Sequence, residues 1–155
     1  MRCTALVAVL AGCGALLTLE ATAQSLTKPM VVPSVHLWAD VPSLPPGAQM
    51  VVIEGPTSAA VPFTVRIKFP ASYKLPAHSY PVIEHLTVIS GTLNMGMGDK
   101  FDATKTIALL PGSVSILQPR TNHFAWTREE TVVQVHGVGP WVPTYVDPAD
   151  DPLNK

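Results

Sequence analysis

Phe63-Thr64-Val65-Arg66-Ile67-Lys68-Phe69 alternates apolar and polar side chains without a break. Successive side chains of an extended chain point to opposite faces, so this is the pattern of a strand with one buried face. Outward from it lie Met50 to Ile53, Ile83 to Ile89, Val114 to Leu117 and Thr131 to Val135. Each is a short run rich in β-branched residues and bounded by Gly, Pro, Asn or Asp, as strands are. Sixteen prolines are spread over 155 residues. Each removes an amide donor and crowds the preceding turn, which argues against long helices. Only Asp102 to Thr106 has room for a helical turn. Many short strands between turn signals predict an all-β sandwich or barrel. The length suits a single domain, and no repeat or linker divides it.

The two ends read differently from this body. Met1-Arg2 is a minimal basic start, Ala5 to Leu19 is almost wholly apolar, and Ala21-Thr22-Ala23 supplies small residues before Gln24. That is the grammar of a signal peptide over 1–23, which leaves a domain at 24–155 and predicts a periplasmic or secreted protein. Leu10-Ala11-Gly12-Cys13 resembles a lipobox, and the competing reading is a lipid anchor at Cys13. The apolar run falls short of the about 20 residues that a membrane span needs, and no second run follows. Both cysteines, Cys3 and Cys13, lie in the leader. The domain therefore has no disulfide, thiolate nucleophile or thiolate zinc site. Ten basic and eleven acidic residues are scattered without a basic stripe, which argues against a nucleic-acid partner. Residues 25–33 read as an extended arm. Asp147, Asp150 and Asp151 could be a calcium cluster, but two prolines and the terminal position favour a solvated tail.

His78, Tyr80 and Glu84 carry the candidate chemistry. His78 and Tyr80 share a strand face by parity. Six residues of extended chain would set Glu84 about 20 Å from His78, so the chain must fold back between them. Pro81 sits where a turn can do this. The carboxylate is then expected to face the imidazole across neighbouring strands. His85 points the opposite way from Glu84.

Two spacings extend the picture. His78-Ser79-Tyr80, three residues, Glu84, six residues and Gly91 form the first, within 72–91. Gly112, five residues, Gln118-Pro119-Arg120, two residues and His123 form the second, within 112–127. Together they resemble the two motifs of the cupin superfamily, His-x-His…Glu…Gly and Gly…Pro-x-Gly…His. More narrowly, the chain resembles small secreted cupin-domain proteins, through residues 84–91, 97–102, 135–141 and 150–152. The resemblance implies a double-stranded β-helix, a jelly-roll-like barrel, with a divalent transition metal inside. Fe, Mn, Ni and Zn all suit two imidazoles and a carboxylate. Carried over, His78, Glu84 and His123 are the metal ligands. The second motif-one histidine is Tyr80 here, and Gln118 and Arg120 stand in the Pro and Gly places of motif two. Tyr80 would complete the shell or donate a proton. Cupin domains often pair, so a homodimer through the 25–33 arm is expected.

His136 has two readings, as a general acid or base in the cavity and as a satisfied core residue. Arg66 and Lys68 would select an anion if their face looks inward and are solvated charges if it looks outward. Phe124 and Trp126 are expected in the core or cavity wall. The resulting expectation is a metal-dependent enzyme of oxygenase, isomerase or lyase type acting on a small organic molecule. The competing one is a non-catalytic small-molecule-binding cupin whose metal site has degenerated.

Overall fold

The computed structural model describes residues 37–155. The expected leader, Cys13, the 25–33 arm and His36 lie outside the described residues. Two antiparallel sheets face each other. One runs in the order β1 (Ala39–Asp40), β2 (Gln49–Glu54), β3 (Pro62–Phe69), β10 (Thr131–Val138), β5 (Glu84–Ser90) and β8 (Val114–Leu117). The other runs β11 (Thr144–Tyr145), β4 (Lys74–Ser79), β9 (His123–Thr127), β6 (Leu93–Met97) and β7 (Ile107–Leu109). This is the expected all-β, jelly-roll-like sandwich in one domain. All five runs read from the sequence are strands, with ends shifted by a few residues.

Alternation decides what fills the interior. Along β3, Phe63, Val65, Ile67 and Phe69 are buried while Thr64, Arg66 and Lys68 face out. Val133 and Val135 of β10 and Leu86 and Val88 of β5 continue that apolar layer. Leu75, Leu93, Met95 and Ala125 of the second sheet meet it. Arg66 and Lys68 are therefore outward-facing: Arg66 Nε donates to Gln134 Oε1 at 3.1 Å, and Lys68 Nζ sits 4.9 Å from the centre of the Trp38 ring.

The strand expected around His78 runs back through Pro76 as Lys74–Ser79 and stops before Tyr80, although Pro is normally kept out of paired strands. It is accommodated by a bulge. Leu75 pairs with Ala125 and His78 with His123, so three steps on β4 match two on β9. The extra residue flips the parity, and Leu75 and His78, three apart, both line the interior. Phe124 is buried as expected and Trp126 is half-buried, but neither lines the cavity. With His123 and Ala125 inward, they project from the other side of β9, where Phe124 is buried beneath Phe101 with ring centres 5.4 Å apart.

The turn expected at Asp102 to Thr106 is a 3-10 turn at Ala103–Lys105, capped by Asp102, which accepts from the Thr104 amide at 3.0 Å. Asp147 and Asp151 likewise cap the short turns Pro148–Asp150 and Pro152–Asn154. The barrel end near residues 41–48 is held by two phenols, Tyr73 donating to Pro45 O at 2.6 Å and Tyr145 to Ser43 O at 2.9 Å.

Gly91, the glycine of the first spacing, turns β5 into β6 with φ +73. A Cβ there would meet the Glu130 carbonyl and come within 2.8 Å of Thr131 Cα. Gly91→Ala should therefore cost about 2 kcal/mol or more. The check is a lowered urea midpoint with an unchanged denaturant slope.

Candidate functional site

His78 and His123 are direct cross-strand partners on β4 and β9. Their ring centres lie 4.3 Å apart, and both are buried. Each is locked by its own strand: His78 Nδ1 donates to Pro76 O at 2.8 Å, and His123 Nδ1 to Thr121 O at 2.9 Å. A carbonyl can only accept, so both protons sit on Nδ1, and each Nε2 keeps a lone pair. Glu84 enters from β5 in the opposite sheet. Its Oε2 is 3.9 Å from His123 Nε2, beyond hydrogen-bond reach, and has no hydrogen-bond partner. The expected meeting across neighbouring strands is thus corrected. The carboxylate faces the imidazoles across the sandwich, because the turn at 80–83 carries the chain from one sheet to the other.

Tyr80 follows β4 and packs edge-on to His78 with ring centres 5.3 Å apart. Its other neighbour is Trp141, stacked at 4.5 Å with 9° between planes. Trp141 Nε1 is buried without a partner, a feature sequence reading missed because nothing local distinguishes this tryptophan from a core one. The Arg120 amide donates to Tyr80 O at 2.7 Å. Arg120 has φ +61, so an arginine adopts the left-handed backbone that suits the glycine expected there. His78, Tyr80, Glu84, His123 and Trp141 line one end of an interior cavity of about 20 Å³ that is otherwise apolar. A single water needs about 10–15 Å³ on the same measure.

Burial dominates the electrostatics. It pushes the Glu84 carboxyl up to about 8 and the His78 imidazole down to about 3, the latter helped by the neighbouring His123. The His123 imidazole is also pushed down by burial. The Tyr80 phenol is pushed well above its ordinary range, first by burial and then by Glu84. At neutral pH without a metal it remains a hydrogen-bond donor.

His136 does not join this group. Val133 and Val135 point inward, so His136 is exposed on the outer face of β10, where its ring stacks on His85. Neither sequence reading holds, since it is in neither the cavity nor the core. Among the described residues no three His, Asp, Glu or Cys heads converge closely enough to form a ready metal cage. The donor chemistry nevertheless fits an ion: two neutral imidazoles with fixed tautomers, and a buried carboxylate oxygen that nothing satisfies.

No protein-family model matches the sequence, and no curated protein matches it closely. Solved structures do. The polyketide cyclase RemF from Streptomyces resistomycificus superposes with a TM-score of 0.64 at 14% identity, over 79% of this chain and 88% of that one. A candidate acetylacetone dioxygenase from Methylibium petroleiphilum PM1 gives 0.60 at 14%, over 79% and 83%. An RmlC-like cupin from Shewanella frigidimarina NCIMB 400 gives 0.57 at 13%, over 70% and 88%. The fold is that of the cupins.

Protonation should shape the stability of the metal-free protein. Folded Glu84 keeps its proton up to about 8, whereas an unfolded one loses it near 4.5. Its contribution is present below 4.5 and lost as pH rises to 8. His78 and His123 stay neutral when folded, His78 down to about 3 against an ordinary 6.5. Their contribution is present above 6.5 and lost as pH falls. Between 4.5 and 6.5 the His78 and Glu84 contributions change in opposite senses, with His123 adding to the loss on the acid side, and above 6.5 the carboxyl acts alone at about 1.4 kcal/mol per pH unit. The melting temperature of chelator-treated protein should therefore fall as pH rises from about 6.5 to 8, and Glu84→Gln should abolish that fall.

Proposed function

We propose that this cupin-fold protein is an exported, metal-dependent enzyme acting on a small organic molecule in the periplasm or outside the cell. His78, Glu84 and His123 hold a divalent transition metal in this reading. The observation that carries it is the unsatisfied Glu84 Oε2 facing an imidazole whose proton is committed elsewhere. Burial alone holds Glu84 in its protonated form, and a divalent cation would displace that proton and take the carboxylate and the two Nε2 lone pairs as ligands. Export rests on the leader-like 1–23 segment. A homodimer through residues 25–33 rests on the cupin resemblance.

A bound ion would supply Lewis acidity or dioxygen activation. The chain's own residues do the rest. The Pro76 and Thr121 carbonyls orient the two imidazoles. Tyr80 keeps its proton and can deliver it to an acceptor beside His78. Trp141 backs the Tyr80 ring, and the apolar wall excludes water, which strengthens every charge interaction inside. A cavity of about 20 Å³ admits an ion or a water, whereas organic ligands occupy about 300–1,000 Å³. A substrate must therefore approach with movement at the Tyr80–Trp141 end, where the polar groups gather. The neighbouring folds named as a cyclase and a dioxygenase support small-molecule chemistry of this kind.

A second reading, a non-catalytic binding cupin with a degenerate site, is favoured by Tyr80 in a ligand place and by heads that do not yet converge. Metal analysis separates the two. Untagged protein reconstituted with Fe(II), Mn(II), Ni(II) or Zn(II) should hold about one ion in the barrel. His123→Ala and Glu84→Gln should each lose it, together with its thermal stabilisation. Retention of that ion by both variants, or less than about a tenth of an equivalent in the parent, would reject the metal reading.

A further inference from the structure

A second pair of imidazoles lies on the far side of the six-stranded sheet, and the interior site does not use it. His85 follows Glu84 on β5, so it faces out where Glu84 faces in. It sits directly opposite His136 on β10. The rings are nearly parallel, 7° between planes with centres 4.8 Å apart. Among the described residues neither ring has a hydrogen bond or an ion pair. His85 Nδ1 is also shut away from solvent without a partner, which a buried polar nitrogen rarely is. The pair opens onto a groove of about 530 Å³ walled by Val82, Ile83 and Val138.

We propose that His85 and His136 form a second metal site, outside the barrel, for a borderline divalent ion such as Cu(II), Ni(II) or Zn(II). Each ring would give one nitrogen, and water or a small ligand in the groove would fill the remaining positions. Imidazole donors with no carboxylate beside them suit these ions rather than Mg or Ca. The geometry is close to what ligation needs. Metal–nitrogen bonds of about 2.0–2.1 Å let one ion join nitrogens up to about 4 Å apart. Closing from a 4.8 Å stack takes a turn of the His136 ring, which is exposed and free to make it. The two strands hold both Cα positions in register, so little chain entropy is lost on binding.

The site is separate from the interior one, and Cu(II) alone tests it in untagged protein carrying His36→Gln, which removes the remaining imidazole. His136→Gln and His85→Gln should each bind one Cu(II) fewer than that parent, or bind it at least about tenfold more weakly. The electron paramagnetic resonance of the outer ion should show coupling to two imidazole nitrogens in the parent and to one in either variant. His123→Ala, which disturbs only the interior, should leave this signal in place, so that failure of the interior reading is distinguishable. An unchanged Cu(II) stoichiometry, affinity and nitrogen coupling in both Gln variants would overturn the proposal, as would a loss confined to one of them. His136→Gln alters an exposed side chain and keeps the test valid should His85→Gln fold poorly.

Discussion

The two sheets hold together only because their inner faces exclude water. Val65, Val133 and Val135 have no exposed surface at all, and the layers from β3, β10 and β5 meet those from β4, β6 and β9 without a polar residue between them over most of the seam. Burial of that apolar surface is the favourable term that offsets ordering so many strands. It also creates the chemistry. The seam that excludes water is the medium into which Glu84, His78 and His123 project, and each is driven toward its neutral form by it. A functional group cluster with unusual protonation is thus a direct product of the core, placed at one end of it.

A small backbone irregularity sets the aim of that cluster. A regular β4 would turn His78 to the opposite face from Leu75, toward the outside of the barrel. The bulge between Leu75 and His78 inserts one residue, and the imidazole swings inward beside His123. The Pro76 carbonyl accepts the His78 Nδ1 proton. The bulged segment therefore both aims the ring and fixes its tautomer. On the second strand Thr121 O performs the latter task for His123.

Strand parity distributes the histidines on two sides of the molecule. Glu84 and His85 are neighbours in sequence and face opposite solvents, one the dry interior and one the outer groove. The paired registers β4–β9 and β10–β5 each set two imidazoles side by side. The interior pair has backbone acceptors for both Nδ1 protons, while the outer pair has none. That difference in partners, rather than in residue type, separates a preorganised pair from an open one.

How much was readable in advance follows from which signals are local. The alternation at Phe63 to Phe69, the β-branched runs and the proline density are properties of neighbouring residues, and they determined an all-β fold and its outward Arg66 and Lys68 alternation up to the choice of face. The spacings around His78, Glu84 and His123 singled out three side chains that the tertiary structure does bring to one cavity. The sequence placed His78 on a strand but could not reveal that β4 runs through Pro76, because a proline inside a strand reads as a break until a bulge absorbs it. Nor could it place His136, whose side depends on the neighbours of β10 in the sheet. Arg120 in a left-handed conformation was equally hidden, since the cupin resemblance puts a glycine at that place and nothing local marks this arginine for a positive φ. Sheet order, the crossing of Glu84 from one layer to the other and the size of the cavity were decided by tertiary packing alone. These depend on contacts between residues distant in sequence, for which the one-dimensional pattern supplies periodicity but no partner.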